Sequence, residues 1–109
     1  MDTLLGHLHT ACPEAQVFLA DVIGTGDRPD MAQCIKDYNK LVPGIVKAWV
    51  AKGMKIYFVA AYDAMAPGCG DNGEYHNLCG GHQIHPTSAG YPRMASAFAL
   101  SILENFQAK

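Results

Sequence analysis

Two nearly continuous apolar runs on either side of a long helical pattern constrain the fold more than any other feature. The runs cover residues 16–23 and 55–62, and runs of this kind are typical of strands buried in a parallel sheet. Between them, residues 31–52 carry apolar side chains at helical spacing, with Asp30 as the predicted N-cap and Gly53 just past the end. The sequence therefore predicts a strand–helix–strand unit with two parallel strands.

Two further helices are predicted, at about 2–11 and 87–106. The first has leucines spaced along one stripe and ends before Pro13. In the second, Thr87 or Ser88 is expected to cap the first turn, because a hydroxyl there accepts a backbone N–H. Its predicted packing face consists of Tyr91, Met94, Ala95, Phe98, Ile102 and Phe106. Pro43 is expected to kink or split the helix at 31–52.

Length and composition limit the classes of protein to which the chain can belong. Its 109 residues, half of them apolar, allow one domain spanning 1–109. Eight Lys and Arg are spread thinly against ten acidic residues, which argues against a nucleic-acid partner. No apolar run reaches 18 residues, so no membrane span is expected.

Four cysteines in so short a chain favour an oxidising compartment, and hence an extracellular origin. The N-terminal residues lack the features of a signal peptide, so the prediction is a piece of a longer secreted parent. Cys12, Cys34, Cys69 and Cys79 allow three pairings, of which Cys69 with Cys79 is preferred because it would close a Gly-rich loop. Closing it would stabilise the fold by about 2–3 kcal/mol. The alternative is four small buried thiols in a reduced protein.

One polar stretch, residues 80–94 (GGHQIHPTSAGYPRM), carries the clearest sign of chemistry. His85 precedes a proline at the junction of a loop and the last helix. An imidazole has an unperturbed pKa of about 6.5, so it can accept and return a proton near neutral pH. His85 is therefore the predicted general base. A histidine that only hydrogen-bonds locally at a helix start is the plainer interpretation.

The segment HPTSAGYPRMA resembles the last conserved block of the SGNH (GDSL-type) hydrolases, D-x-x-H-P-N-x-x-G-Y-x-x-M-A, in which the histidine activates a serine. His85 matches that histidine. Where the family has its aspartate, this chain has His82, a possible second-shell group that cannot stabilise an imidazolium as a carboxylate does. The acids that can replace the aspartate are Asp63, Asp71 and Glu74.

The resemblance implies the C-terminal half of a flavodoxin-like, three-layer αβα domain that hydrolyses carboxylic esters, including carbohydrate acetyl esters, without a cofactor. The family's Gly-Asp-Ser block is absent, and the three serines all lie in the last helix: Ser88, Ser96 and Ser101. The isolated chain is therefore expected to be inactive. Its exposed sheet edge would need a partner, either the rest of a longer polypeptide, a second copy or a separate chain.

Two other interpretations stay open. A zinc site would draw on the donors of the Gly-rich loop, although their spacing fits no familiar zinc module and no metal is the preferred prediction. Those donors are Cys69, His76, Cys79, His82 and His85. The other interpretation is a non-catalytic remnant or interaction module, because nucleophile, oxyanion block and aspartate are all missing from the sequence.

Overall fold

The computed structural model describes residues 1–24, 29–65, 86–106 and 108. Within these residues the chain is a mixed α/β structure of two strands and four helices. In chain order the elements are α1 (Asp2–Ala11), β1 (Gln16–Ala20), α2 (Pro29–Ala51), β2 (Lys55–Val59), α3 (Ala61–Met65) and α4 (Gly90–Asn105). No helix in this part of the chain has the length and apolar character needed to cross a membrane.

The two strands are parallel, which confirms the predicted strand–helix–strand unit. They pair in register from Gln16 opposite Lys55 to Ala20 opposite Val59. One more backbone hydrogen bond, from the Asp21 N–H to the Val59 carbonyl at 3.3 Å, extends the pairing past the end of β1. The carboxyl ends of both strands therefore lie side by side at one edge of the sheet.

Both strands end earlier than the sequence predicts. β1 stops at Ala20 and β2 at Val59, and the residues predicted to finish the second strand turn into α3 instead. A short apolar run does not by itself distinguish strand from helix. Here a tertiary contact accompanies the change, because the Asp21 carboxylate accepts the N–H of Tyr62, in the first turn of α3, at 2.8 Å.

Helix α2 runs through Pro43 without a break, so the predicted split is wrong. Pro43 is exposed, whereas Val42, Val46 and Trp49 are buried on the inner side of the same helix. Burial of that side stabilises the helix enough to tolerate the backbone hydrogen bond that proline removes. Asp30 lies inside the first turn and is not the N-cap.

The core lies where α1 and α2 cover one face of the sheet. Its buried members are Leu5, Val46, Trp49, Met54 and Ile56. Trp49 joins the two helices, because its indole N–H donates to Asp2 Oδ1 at 3.0 Å. The Lys52 ammonium lies 4.2 Å from the centre of the indole ring, in a cation–π contact.

Helix α4 packs against both strands and against α3. Its Ser101 is buried, and the Ser101 hydroxyl donates to the Phe58 carbonyl at 3.4 Å. The predicted packing face is therefore only partly right. Met94 is half-buried, but Tyr91 and Phe106 are 54% and 58% exposed. The helix is rotated relative to the prediction, so that Ser101 faces the sheet on the same side as the half-buried Met94 and Phe98.

Candidate functional site

Most of the predicted site lies outside the described residues. This holds for the predicted general base His85, for His82, for the acids Asp71 and Glu74, and for Cys69, His76 and Cys79. The described members of the predicted set are Asp63, Cys12 and Cys34. Cys12 and Cys34 are both free thiols, so no disulfide joins them. Both are also exposed, so neither is the buried thiol expected for a reduced protein.

The described part of the histidine motif is the turn that leads into α4. The Thr87 carbonyl accepts the N–H groups of Gly90 and Tyr91 at 2.9 and 3.0 Å. The Thr87 hydroxyl also accepts the Gly90 N–H, at 3.2 Å, whereas Ser88 is exposed. Of the two predicted capping residues, Thr87 makes a bond to the first residue of α4, but the helix begins at Gly90 rather than at 87, and its N-cap is Ala89, which has no side-chain capping bond. The two Thr87 oxygens order the backbone immediately after Pro86.

The start of α4 lies near the carboxyl edge of the sheet. Met94 packs against Met65, at the end of α3, and Ile23, which follows β1, packs against the same Met65 side chain. Ser101, two turns further along α4, contacts Phe58 within β2. Helix α4 therefore begins beyond the carboxyl ends of the strands and runs back along β2. Ligand sites in open parallel sheets form at this edge.

Asp21 is the central polar residue at the carboxyl edge. It directly follows β1, and its Oδ1 accepts the Tyr62 N–H at 2.8 Å. Burial raises the pKa of the Asp21 carboxyl above its usual value. Backbone hydrogen bonds from Tyr62 and Ala61 partly oppose this rise, and the nearby Asp63 carboxylate adds to it. Asp21 is thus a partly buried acid that binds its proton more tightly than an exposed aspartate.

Asn39, on α2, fixes the chain that leaves β1. Its side-chain amide donates to the Val22 carbonyl at 2.7 Å, and its carbonyl oxygen accepts the Val22 N–H at 2.8 Å. The Asn39 side chain therefore makes the same pair of hydrogen bonds to Val22 that the backbone of a neighbouring strand would make. This pairing satisfies both backbone groups of a residue that lies past the sheet.

A cavity of about 280 Å³ opens at this edge, between α2 and the start of α3. Every residue of its lining is polar: Asp21, Lys36, Asn39, Lys40, Tyr62 and Asp63. Two carboxylates face two ammonium groups, so the lining has no net formal charge. Asp63 is exposed, and it is the one predicted replacement acid that the described residues include. The structure brings it together with Asp21.

Sequence reasoning missed Asp21, Asn39 and the two lysines. A signal for Asp21 was present, since a lone acid interrupts the apolar run at 16–23, and a polar residue at the end of a parallel strand points to a site. No comparable signal marks Asn39, whose partner Val22 is distant in sequence and carries no polar side chain.

Two of the three serines, Ser96 and Ser101, hydrogen-bond to backbone carbonyls, and Ser88 is exposed. The Ser96 hydroxyl donates to the Pro92 carbonyl at 2.9 Å within α4, and the Ser101 hydroxyl donates to Phe58. That none of the three serines is a nucleophile stays a prediction. Among residues 1–24, 29–65, 86–106 and 108, no group of three or more His, Cys, Asp or Glu side chains could hold a metal ion. The donors of the alternative zinc site all fall at 66–85, outside these residues.

Comparison with protein-family models, with curated proteins and with solved structures gives no match.

Proposed function

We propose that this chain is the C-terminal part of an SGNH-type serine esterase and that it contributes the general base, His85. The proposal rests on two features that occur together. The segment that resembles the SGNH histidine block leads into α4, and α4 begins at the carboxyl edge of a parallel strand pair, next to the ends of β1 and α3.

In the proposed reaction, His85 takes the proton of a serine hydroxyl as that oxygen attacks the carbonyl carbon of a carboxylic ester. It then returns the proton to the departing alcohol, and a water molecule is activated in the same way to release the acid. The three serines of this chain lie in or beside α4, so the nucleophile is proposed to come from a partner. That partner is the missing N-terminal half, because a second copy of this chain would bring only the same three serines.

An acid is needed to orient His85, because the position of the family's aspartate is His82. Asp63 and Asp21 are the described carboxylates at the same edge of the sheet, and both line the polar cavity. Asp63 is the better candidate, because it is exposed, whereas one carboxylate oxygen of Asp21 accepts the Tyr62 N–H at the start of α3. Asp71 and Glu74 remain alternatives.

Carbohydrate acetyl esters are the proposed substrate class, together with other short-chain esters. The resemblance to small secreted members of the family suggests this class. The carboxylates, ammonium groups and amide in the cavity lining are compatible with it, because these groups can hydrogen-bond to hydroxyl groups. We also propose that the parent polypeptide is secreted, because the family members that this chain resembles are small secreted proteins.

The test measures hydrolysis of p-nitrophenyl acetate and of an acetylated xylo-oligosaccharide by two proteins: this chain alone, and the longest natural polypeptide that contains it. We expect no turnover by the chain alone and clear turnover by the longer polypeptide. His85→Ala should reduce the latter by at least about 10³-fold, as loss of a general base does. His82→Ala is the matched control and should cost far less.

Two results would count against the proposal. Equal loss in the His82 and His85 variants would mean that His85 has no special role. No turnover by the longer polypeptide would favour the non-catalytic interaction module instead.

A further inference from the structure

Helix α4 exposes a second apolar face, on the side away from the sheet. Its helical members recur at spacings of four, three and four residues, and Phe106 follows just past the end of the helix: Pro92, Ser96, Ala99, Leu103 and Phe106. We call this set the outer seam. Leu103, near the end of the helix, is 83% exposed, the largest exposure among the exposed large apolar side chains of the described residues.

The spacing of the outer seam is that of a coiled-coil contact, in which apolar residues alternate at three and four positions. An ordinary surface helix carries polar residues on its solvent side. Here Leu103 is exposed on the solvent side, in addition to the apolar residues Met94, Ala97 and Phe98 on the side that faces the sheet. The seam is therefore suited to packing against another helix.

The one polar member of the seam does not oppose such packing. The Ser96 hydroxyl donates to the Pro92 carbonyl of its own helix at 2.9 Å. A hydroxyl that is already hydrogen-bonded costs little to bury, whereas an unpaired hydroxyl is expensive. Ala99, at the middle of the seam, has a small side chain that lets two helices approach closely.

The charges of α4 indicate which helix fits. Arg93 lies near its start and Glu104 near its end, about three turns apart, and both are exposed on the flank that also carries Leu100. Within the described residues no ion pair is seen for either side chain. A parallel copy of α4 would set this flank against the opposite flank of its partner, which carries Tyr91, Ala95 and Ile102 and no charge. An antiparallel copy places Arg93 of each helix beside Glu104 of the other.

We propose that the outer seam of α4 is a self-association surface, on which α4 of a second copy of this chain packs antiparallel about a two-fold axis near Ala99. Such an interface is self-complementary, as two-fold symmetry requires. Leu103 of each copy packs against the Ser96 turn of the other, and two Arg93–Glu104 pairs close the flank. The proposal does not depend on esterase activity, because it uses none of the residues assigned to catalysis.

The experiment is sedimentation velocity of the purified chain at concentrations from roughly 5 to 500 µM, a range that suits a small interface. The first variant is Leu103→Lys. Leu41→Lys is the matched control, because Leu41 is also an exposed leucine on a helix, at 62%, but lies on α2. Circular dichroism checks that each variant is folded. We expect a dimer that Leu103→Lys weakens at least tenfold and that Leu41→Lys leaves unchanged.

Charge reversals test the antiparallel arrangement. Arg93→Glu and Glu104→Arg should each weaken the dimer several-fold, and the double variant should return the dissociation constant to within about twofold of the original. A chain that stays monomeric throughout, or a dimer insensitive to Leu103→Lys, would overturn the proposal and leave the seam to another segment of a longer polypeptide. A double variant weaker than either single one would overturn the antiparallel pairing.

Discussion

Asn39 holds Val22 by both of its backbone polar groups, through hydrogen bonds of 2.7 and 2.8 Å. The pairing connects α2 to the chain that leaves β1, one residue after Asp21. Asp21 in turn accepts the N–H of Tyr62, so the same short segment also joins α3. These three bonds tie together the elements that form the carboxyl edge of the sheet, where the site is proposed.

Replacing Asn39 with alanine should therefore destabilise the fold. Two hydrogen bonds are lost, each of which contributes about 0.5–1.5 kcal/mol, and the site is only partly buried. We expect a loss of about 1–2 kcal/mol in the free energy of unfolding, measured by urea denaturation. Gln33→Ala is the matched control on the same helix, because its amide bonds only the exposed Asp37 one turn away. That change should cost less than about 0.5 kcal/mol, and equal losses would show that the Val22 pairing adds no stability.

The Asp21 carboxyl makes stability depend on pH in a defined direction. Because its folded pKa is raised, the folded state binds the proton more tightly than the unfolded state does. Its contribution to the free energy of unfolding should therefore fall as the pH rises from the unfolded value, about 3.9, through the raised folded value. Above that pH interval the folded chain carries a partly buried negative charge on Asp21, which lowers the free energy of unfolding.

Asp21→Asn removes this charge and keeps an oxygen that can accept the Tyr62 N–H. The variant should match the original chain at low pH and be more stable than it at neutral pH. Urea denaturation of both proteins across the acid range gives the difference directly. A variant that is less stable at neutral pH would mean that the carboxylate stabilises the edge, contrary to the raised pKa.

Two neighbouring leucines test the packing of α1. Leu5 is 1% exposed in the core, whereas Leu4 is 58% exposed on the same helix. Leu5→Ala should reduce the free energy of unfolding by about 2–4 kcal/mol, because it leaves a cavity beside Trp49. Leu4→Ala should change it by less than about 0.5 kcal/mol. Thermal unfolding of the two variants side by side makes the comparison, and similar effects would contradict the docking of α1.

Two glycines give opposite expectations for the same substitution. Gly53, which ends α2, has a φ of 92°, a conformation that alanine adopts only under strain. Gly53→Ala should destabilise by about 1–2 kcal/mol. Gly44 lies within α2, and a Cβ built there meets no atom within 4 Å. Gly44→Ala should stabilise by about 0.5–1 kcal/mol, because alanine favours the helix. Differential scanning calorimetry would reveal whether the two changes have opposite signs.

The sequence by itself determined the order of the elements and their pairing. Apolar runs of strand length around a helical pattern predicted two parallel strands joined by α2, and the structure confirms this. The sequence also indicated Gly53 just past the end of α2 and the Thr87 hydroxyl that bonds to Gly90. Both could be predicted because such residues at helix ends form bonds to near neighbours in the chain. These features rest on local geometry, which residue type largely specifies.

Only the tertiary structure decided how those elements meet. The contacts of Asp21 with Tyr62 and of Asn39 with Val22 join residues far apart in sequence, and nothing in the residue pattern near either one indicates its partner. The orientation of α4 is a second case. Its sequence is apolar on more than one side, so periodicity could not choose which side meets the sheet, and the structure exposes Tyr91 and Phe106 while it buries Ser101. A helix with one apolar stripe fixes its own orientation, whereas one with two is oriented by the elements it packs against.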